Sequence, residues 1–245
     1  MDLKYGRIFL ILICFLMFTM PLYAKGSEET GTNPEIIFDP SKDYFPDKAT
    51  LKHTGGFTVE YFNNYKVVTV LDPWPRSDLT FQYILVQRGT PVPEAYYDAQ
   101  VIEVPVQSLV TMSTTYLPYI EMLGVLDTLV GHDAFQYINT PAVLKRIEEG
   151  KIKEVGYASD VNVELVLDIA PDLIMTHGYG NEWDAHPKLL EAGLKVALNG
   201  ERSELSPLGR TEWIKFIALF FNKEKEAGRI FDSIVEEYNA LLEKV

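Results

Sequence analysis

The pattern of apolar and polar positions divides the chain into segments of different kinds. After two basic residues comes an almost unbroken apolar run at 8–23, followed by a stretch rich in Gly, Pro, Thr and acids without periodicity. Order is expected from about Gly56, where β-rich runs begin on either side of two asparagines that tolerate positive φ, which predicts a hairpin. The β-rich runs cover 57–61, 66–71, 82–87 and 100–104.

From Ser108 onward, short apolar strands alternate with helix-like segments. Strands are predicted at 108–112, 129–131, 173–176 and 195–198, and helices at 115–123, 141–149 and 184–192. Short connections between alternating strands and helices predict a parallel sheet covered by helices on both faces. Ligands of such open sheets bind beyond the carboxyl ends of the strands, so the loops 113–116, 132–139 and 177–181 form the candidate site.

Two helices are predicted after this series. Ser206 and Pro207 supply a capping hydroxyl and a proline at the first helical position. The pattern breaks at Asn222, and apolar residues then recur at helical spacing over 223–245, which corresponds to a helix of about 35 Å. We therefore predict an α/β fold: a Rossmann-like lobe with a parallel sheet flanked by helices, preceded by a β-hairpin extension and followed by a long backbone helix.

The opening apolar run has the layout of a secretory signal peptide, with cleavage expected after Ala24. The alternative is an uncleaved anchor that tethers the protein to the membrane. The predicted organisation is a signal peptide at 1–24, a flexible leader at 25–55, an α/β lobe at 56–205 and a helical linker with a spine helix at 206–245. We accordingly expect an exported, periplasmic protein.

Charge and residue types narrow the range of functions. A net charge of −13 without a compensating basic stripe repels phosphate backbones, which argues against nucleic acid as a partner. The single cysteine, Cys14, lies in the apolar run, so a cleaved chain offers no thiol. Nucleophile-elbow, Walker and dinucleotide-binding motifs are absent, and the four histidines lack the spacing of a helical zinc site. The sequence thus predicts neither a catalytic nor a metal site.

An ordered series of motifs begins near Val106. Its members are Ser113-Thr114-Thr115-Tyr116, Leu123-Gly124, Val130-Gly131, Val155-Gly156-Tyr157, Asn162-Val163-Glu164 and Pro171-Asp172-Leu173-Ile174. Over about Val106 to Val245 the chain resembles the periplasmic siderophore-, haem- and cobalamin-binding proteins of ABC importers. The resemblance implies two α/β lobes bridged by one long helix, with ligand in the cleft between them. The expected second lobe is missing here, through a fragmentary sequence or a true half-protein, so this chain alone is expected to bind ligand weakly.

The resemblance also implies roles for particular residues. Glu164 matches the glutamate that meets an arginine of the membrane permease, the alternative being a solvated acid at a helix start. Tyr157 matches the position where haem-carrying members place an axial tyrosinate, the alternative being a wall or core tyrosine. The expected ligand-binding residues lie in or beside the loops at the strand ends: Thr114, Thr115, Tyr116, Phe135, Tyr157, His177 and Tyr179.

The function that these features imply is that of the substrate-binding component of an ABC importer, without catalysis. The bound ligand would be a ferric siderophore, haem or cobalamin, and no resident cofactor is expected. The partners would be an ABC permease and the small-molecule metal chelate itself. Two alternatives stay open: a one-lobed sensor or interaction module of the same fold, and an exported α/β enzyme, which would need a titratable cluster.

Overall fold

The structure is a computed structural model that describes residues 38–96 and 99–244. The signal peptide predicted at 1–24 and the part of the leader before residue 38 lie outside the described residues. The described part contains nine strands in two sheets and six α-helices.

The first sheet enlarges the predicted hairpin. Its strands, in spatial order, are β1 (Phe57–Tyr61), β2 (Tyr65–Leu71), β3 (Thr80–Gln87) and β4 (Gln100–Val104). The β1–β2 hairpin is antiparallel, and across its turn the Phe62 N–H donates to the Tyr65 carbonyl. β3 runs antiparallel to β2 and parallel to β4. The strands predicted at 82–87 and 100–104 are therefore confirmed, and they join the hairpin in one four-stranded sheet.

The second sheet is parallel throughout, which confirms the predicted α/β fold. Its spatial order is β7 (Lys153–Glu154), β6 (Leu129–His132), β5 (Leu109–Thr111), β8 (Leu173–Thr176) and β9 (Val196–Leu198). The connecting helices are α1 (Leu117–Met122), α2 (Pro141–Glu148), α3 (Val163–Ile169) and α4 (His186–Glu191). After β5 the chain continues to β6, towards one edge of the sheet, whereas after β8 it continues to β9, towards the opposite edge. Such a reversal between neighbouring strands opens a crevice at their carboxyl ends.

Two long helices follow β9, namely α5 (Pro207–Leu219) and α6 (Glu224–Leu242). As predicted, Ser206 caps α5, because its hydroxyl accepts the Gly209 N–H at 2.9 Å, and the chain breaks at Asn222, which has φ 54°. The structure corrects the prediction that α5 belongs to a linker. Trp213 and Phe216 lie fully buried in the main core, together with apolar residues of both sheets. The apolar run of α5 leaves no continuous polar face for solvent, so the helix is buried.

Residues 38–55 pack on the lobe, which corrects the prediction that the leader is flexible up to residue 55. Phe45 is 2% exposed and belongs to the main core. The Glu212 carboxylate in α5 accepts the backbone N–H groups of residues 52–54 and lies 2.7 Å from Nζ of Lys215. Burial alone would raise the pKa of Glu212, but these donors lower it overall. A carboxylate distant in sequence therefore orders a segment that lacks apolar periodicity.

Side chains of the first sheet form hydrogen bonds with backbone groups of β9, the edge strand of the second sheet. The Gln100 amide, on β4, donates to the Val196 carbonyl at 2.8 Å and accepts the Val196 N–H. The Tyr83 hydroxyl, on β3, accepts the Leu198 N–H at 2.8 Å. The edge strand β9 thus finds partners for backbone groups that an open edge would expose. These contacts fix the first sheet beside the end of β9.

Candidate functional site

A cavity of about 630 Å³ lies at the carboxyl ends of the parallel strands. The structure places it where the strand order reverses, beside the loops that the sequence singles out. Its walls are formed by Met112, Ser113, Thr114 and Thr115 after β5, Asp133 and Tyr137 after β6, Tyr157 after β7, His177 after β8, Glu201 and Arg202 after β9, and Arg210 on α5.

The loop after β5 presents hydroxyl groups to the cavity. The Ser113 hydroxyl accepts the Thr115 N–H at 3.4 Å and lies 2.8 Å from Oγ1 of Thr115, which holds the short 3₁₀ turn Thr114–Tyr116. Thr114 and Thr115 line the cavity, whereas Tyr116 turns into the protein and is fully buried. Burial raises the pKa of Tyr116 well above its usual value, so this phenol stays protonated.

A buried acidic residue lies on the floor of the cavity. Asp133 is 5% exposed, and its Oδ1 accepts the Ala134 N–H at 2.8 Å. Nε2 of His132 lies 2.9 Å from the same oxygen without hydrogen-bond alignment, while Nδ1 of His132 lies 2.8 Å from the Thr111 hydroxyl. The floor therefore offers carboxylate oxygens to a polar group of a ligand.

His177 and Tyr179, which follow β8, pack edge to face with ring centroids 5.0 Å apart. His177 lines the cavity, and Tyr179 lines a slit of about 10 Å³ that shares His177 with it. Arg202 donates to the Tyr179 hydroxyl at 2.6 Å and lies over its ring. Burial, with a smaller contribution from Arg202, lowers the pKa of His177. His177 is therefore a neutral imidazole at neutral pH.

Two exposed tyrosines form an aromatic wall. Tyr137 and Tyr157 are 60% and 51% exposed, and their ring centroids lie 6.1 Å apart. Phe135, which the sequence placed at the site, instead packs on the small apolar cluster around Leu117 and Leu129. Residues of a 3₁₀ turn are about 120° apart, so Phe135 and Tyr137 face different ways. Tyr137, and not Phe135, therefore contributes to the aromatic wall.

The cavity carries charges of both signs. Glu201 is 2% exposed, and burial raises the pKa of its carboxyl. Arg202 and Arg210 line the cavity from the exposed side, whereas Arg146 lies elsewhere, paired with Asp127 at 2.5 Å. Within 38–96 and 99–244, His, Asp and Glu side chains form no group of three that could hold a metal ion. The cavity therefore offers carboxyl, guanidinium, hydroxyl and aromatic groups to a ligand.

The loops predicted at the strand ends border the cavity, but only some of the predicted side chains line it. Of the seven expected residues, Thr114, Thr115, Tyr157 and His177 line the cavity, Tyr179 lies beside it, Tyr116 is buried in the core, and Phe135 is half-buried against a small apolar cluster. The other lining residues were not among the seven expected: Met112, Ser113, Asp133, Tyr137, Glu201, Arg202 and Arg210. Asp133 and Tyr137 lie in the predicted loop 132–139, whereas Glu201, Arg202 and Arg210 come from elements after the last strand.

Glu164 lies apart from the cavity, in the first turn of α3. The Asn162 side chain caps this helix by accepting the Leu165 N–H at 3.0 Å. Glu164 is exposed, and so are Leu167 and Asp168, which follow it at three- and four-residue spacing. Residues so spaced share one helix face. This face of α3 therefore combines two acids with one apolar side chain.

None of the described helices is both long enough and apolar enough to cross a bilayer. The chain is similar to two uncharacterized lipoproteins of Methanocaldococcus jannaschii. The first is 31% identical over 171 residues, covering 67% of this chain and 43% of the relative, and the second is 29% identical over 180 residues, covering 66% and 42%. The chain therefore spans about two fifths of the length of these curated relatives.

Similar solved structures include a periplasmic binding protein from Veillonella parvula, with TM-score 0.49 and 18% identity over 73% of this chain and 52% of that chain. Another is a possible iron-binding protein from Staphylococcus epidermidis, with TM-score 0.47 and 19% identity over 58% and 52%. A family model described as periplasmic binding protein matches residues 109–245, more than half of the chain. The chain belongs to the periplasmic binding protein family.

Proposed function

We propose that this chain forms the ligand-capturing lobe of an extracytoplasmic substrate-binding protein that serves an ABC importer. The observation that carries the proposal is the cavity at the strand ends, in a member of a family of binding proteins. Its volume of about 630 Å³ suits a small molecule, and its walls combine hydroxyls, aromatic rings and arginines. The role proposed is capture and delivery, not catalysis.

The proposed ligand is a metal chelate, namely a ferric siderophore, haem or cobalamin. The tyrosine wall, Tyr137 and Tyr157, offers apolar surface to a bulky ligand, while Arg202 and Arg210 can pair with anionic groups. Neutral His177 and the hydroxyls of Thr114 and Thr115 add uncharged hydrogen-bonding groups. The chelate would bring its own metal.

The proposed partner is a membrane permease that docks on the exposed face of α3. Glu164 can make a bidentate contact with an arginine, and Asp168 on the same face adds a second negative charge. Leu167, 47% exposed, adds an apolar contact between the two acids. Charge and apolar surface together favour a basic docking site on the partner.

Titration of the protein expressed from its complete gene tests the proposal. The probes are ferrioxamine B, ferric enterobactin, haemin and cyanocobalamin, with intrinsic tryptophan fluorescence as the readout, because Trp183 borders the slit beside the cavity. Saturable binding of one probe, with dissociation constants of micromolar order or below, is the expected result. If none of the four binds, and no small molecule copurifies by mass spectrometry, the proposal is wrong.

A further inference from the structure

The indole of Trp74, in the loop between β2 and β3, lies against the backbone of the cleft loop after β8. A Cβ added at Gly178 would lie 2.5 Å from Cε3 of Trp74, and a Cβ at Gly180 would meet the indole nitrogen even more closely. Both distances are shorter than real Cβ contacts allow. The indole therefore occupies the space that side chains at both glycines would need.

A carboxylate holds the same loop. Oδ1 of Asp184 accepts the Tyr179 N–H at 2.7 Å, and Oδ2 accepts the Gly180 N–H at 2.8 Å. Asp184 is 7% exposed, so these charge-assisted bonds are shielded from water. Gly180 has φ +75°, a conformation that a residue with a side chain rarely adopts. The segment that carries His177 and Tyr179 is thus fixed by both a carboxylate and an indole.

Trp74 is itself anchored. Its ring packs against Phe81 at the start of β3, with centroids 6.1 Å apart, and against His186 at the start of α4, with centroids 5.8 Å apart. The loop that carries it holds Arg76 at φ 64° and Asp78 at φ 48°. Such conformations cost energy in residues other than glycine and persist where surrounding contacts impose them. The position of the indole is therefore built into the loop.

We propose that Trp74 is a positioning residue of the cavity at the carboxyl ends of the parallel strands. By filling the space beside Gly178 and Gly180, it fixes the loop that presents His177 to the cavity and Tyr179 to Arg202. The effect on ligand rests on the function proposed above, whereas the effect on the loop does not. Trp74 also precedes residues 109–245, the part matched by the family model. The first sheet would thus shape the cleft from outside the matched region.

A double-mutant cycle on the full chain tests the effect on the loop, with hydrogen exchange of the Tyr179 and Gly180 amides as the readout. Trp74→Ala should speed exchange of both amides at least about tenfold, and Trp74→Phe less, because a ring remains. Gly178→Ala should speed the exchange of these amides similarly when Trp74 is present. In the Trp74→Ala background it should have little effect, because no indole opposes the added methyl group. Gly55→Ala is the control, since a Cβ there meets no atom within 4 Å.

Equal effects of Gly178→Ala in both backgrounds would overturn the proposal, and so would unchanged exchange in Trp74→Ala. If Trp74→Ala does not fold, Trp74→Leu, which removes the ring but keeps an apolar side chain, replaces it in the cycle, and equal effects of Gly178→Ala again contradict the proposal. The effect on ligand is measured with the same four probes on the protein from its complete gene. Trp74→Ala should weaken the tightest probe at least about fivefold, with Gly55→Ala unchanged. An unchanged affinity in Trp74→Ala would refute the effect of Trp74 on ligand binding. If the parent protein binds none of the probes, the proposed function is refuted, and the hydrogen-exchange result alone decides whether Trp74 fixes the loop.

Discussion

Nζ of Lys66 on β2 lies 2.7 Å from Oε1 of Glu224, the first residue of α6, with side chains 0% and 3% exposed. The same ammonium donates to the Leu219 carbonyl at 2.5 Å and to Oδ1 of Asn222 at 2.9 Å. All three of its protons therefore have acceptors, which offsets only part of the cost of burying the charge, because burial still lowers the pKa of Lys66 to about 8. The pair ties the first sheet to the turn between α5 and α6, and so fixes where the last helix begins.

Removing one partner of this pair should strongly destabilise the protein. We expect Lys66→Met to lower the free energy of unfolding by about 3–5 kcal/mol, because Glu224 is left as a buried, unpaired charge. Lys66→Met with Glu224→Leu should recover part of the loss, since both charges are then gone. Urea unfolding measures both values. Lys145→Met, which removes an exposed partner of Glu149, is the control and should change little. A loss no greater than in this control would contradict the prediction.

The fold could be predicted from the sequence wherever local pattern and local packing agree. The alternation after Ser108 gives the parallel strands, and the Ser206 cap gives the start of α5. β7 was missed because its two residues, Lys153 and Glu154, are both exposed and leave no apolar signal. The packing of residues 38–55 was missed because it depends on Glu212, whose contacts with 52–54 join distant parts of the chain.

The position of the site could be predicted because ligands of open parallel sheets bind beyond the carboxyl ends of the strands. The direction of each side chain could not be predicted in this way. Tyr116 and Phe135 have the residue types and loop positions of cavity aromatics, yet Tyr116 is buried in the core and Phe135 is half-buried against the cluster around Leu117 and Leu129. Glu201 follows β9 directly and lies at a strand end that the rule covers, whereas Arg210 lines the cavity from α5. The position of α5 depends on tertiary packing, which no spacing in the sequence encodes.

Stability should fall as the pH decreases below about 6.5, the ordinary pKa of histidine. Burial lowers the pKa of both His177 and His186, so below this pH the unfolded chain binds more protons than the native chain does. Glu201 acts in the opposite sense above its ordinary pKa, because its native pKa is raised. Urea unfolding at about pH 7 and about pH 5.5 should therefore show a smaller loss for His177→Gln with His186→Gln than for the parent. An equal loss would show that these histidines do not govern the dependence.

Arg202 should contribute to the affinity for an anionic chelate. A charge-assisted hydrogen bond is worth about 1.5–3 kcal/mol, so we expect Arg202→Ala to weaken binding of ferric enterobactin or haemin by about tenfold or more. The substitution also removes the contact with the Tyr179 hydroxyl. Arg146→Ala is the matched control, because Arg146 pairs with Asp127 and does not line the cavity. Equal affinities of both variants in fluorescence titrations would exclude a contact between Arg202 and the ligand.

Glu164, on the exposed face of α3, is expected to act in docking and not in folding or ligand binding. Glu164 is solvent-exposed, so Glu164→Ala should change the free energy of unfolding by no more than about 0.5 kcal/mol and leave ligand affinity unchanged. If Glu164 docks to a permease arginine, uptake should nevertheless fall, because losing one partner of a desolvated charge pair costs about 2 kcal/mol or more. Glu164→Lys should lower uptake further, since like charges would then face each other.

Three measurements on the same variants separate docking from its alternatives. Uptake of a labelled chelate is compared in cells that carry each variant of the complete gene, while titration and urea unfolding follow ligand affinity and stability. Glu121→Lys, at an exposed position on α1, is the control for a change of charge alone. A loss of uptake in Glu164→Lys, with normal affinity, normal stability and a normal control, can arise only after ligand capture. Undiminished uptake in Glu164→Lys would instead make Glu164 a solvated acid at the start of α3, where a negative charge favours the helix dipole.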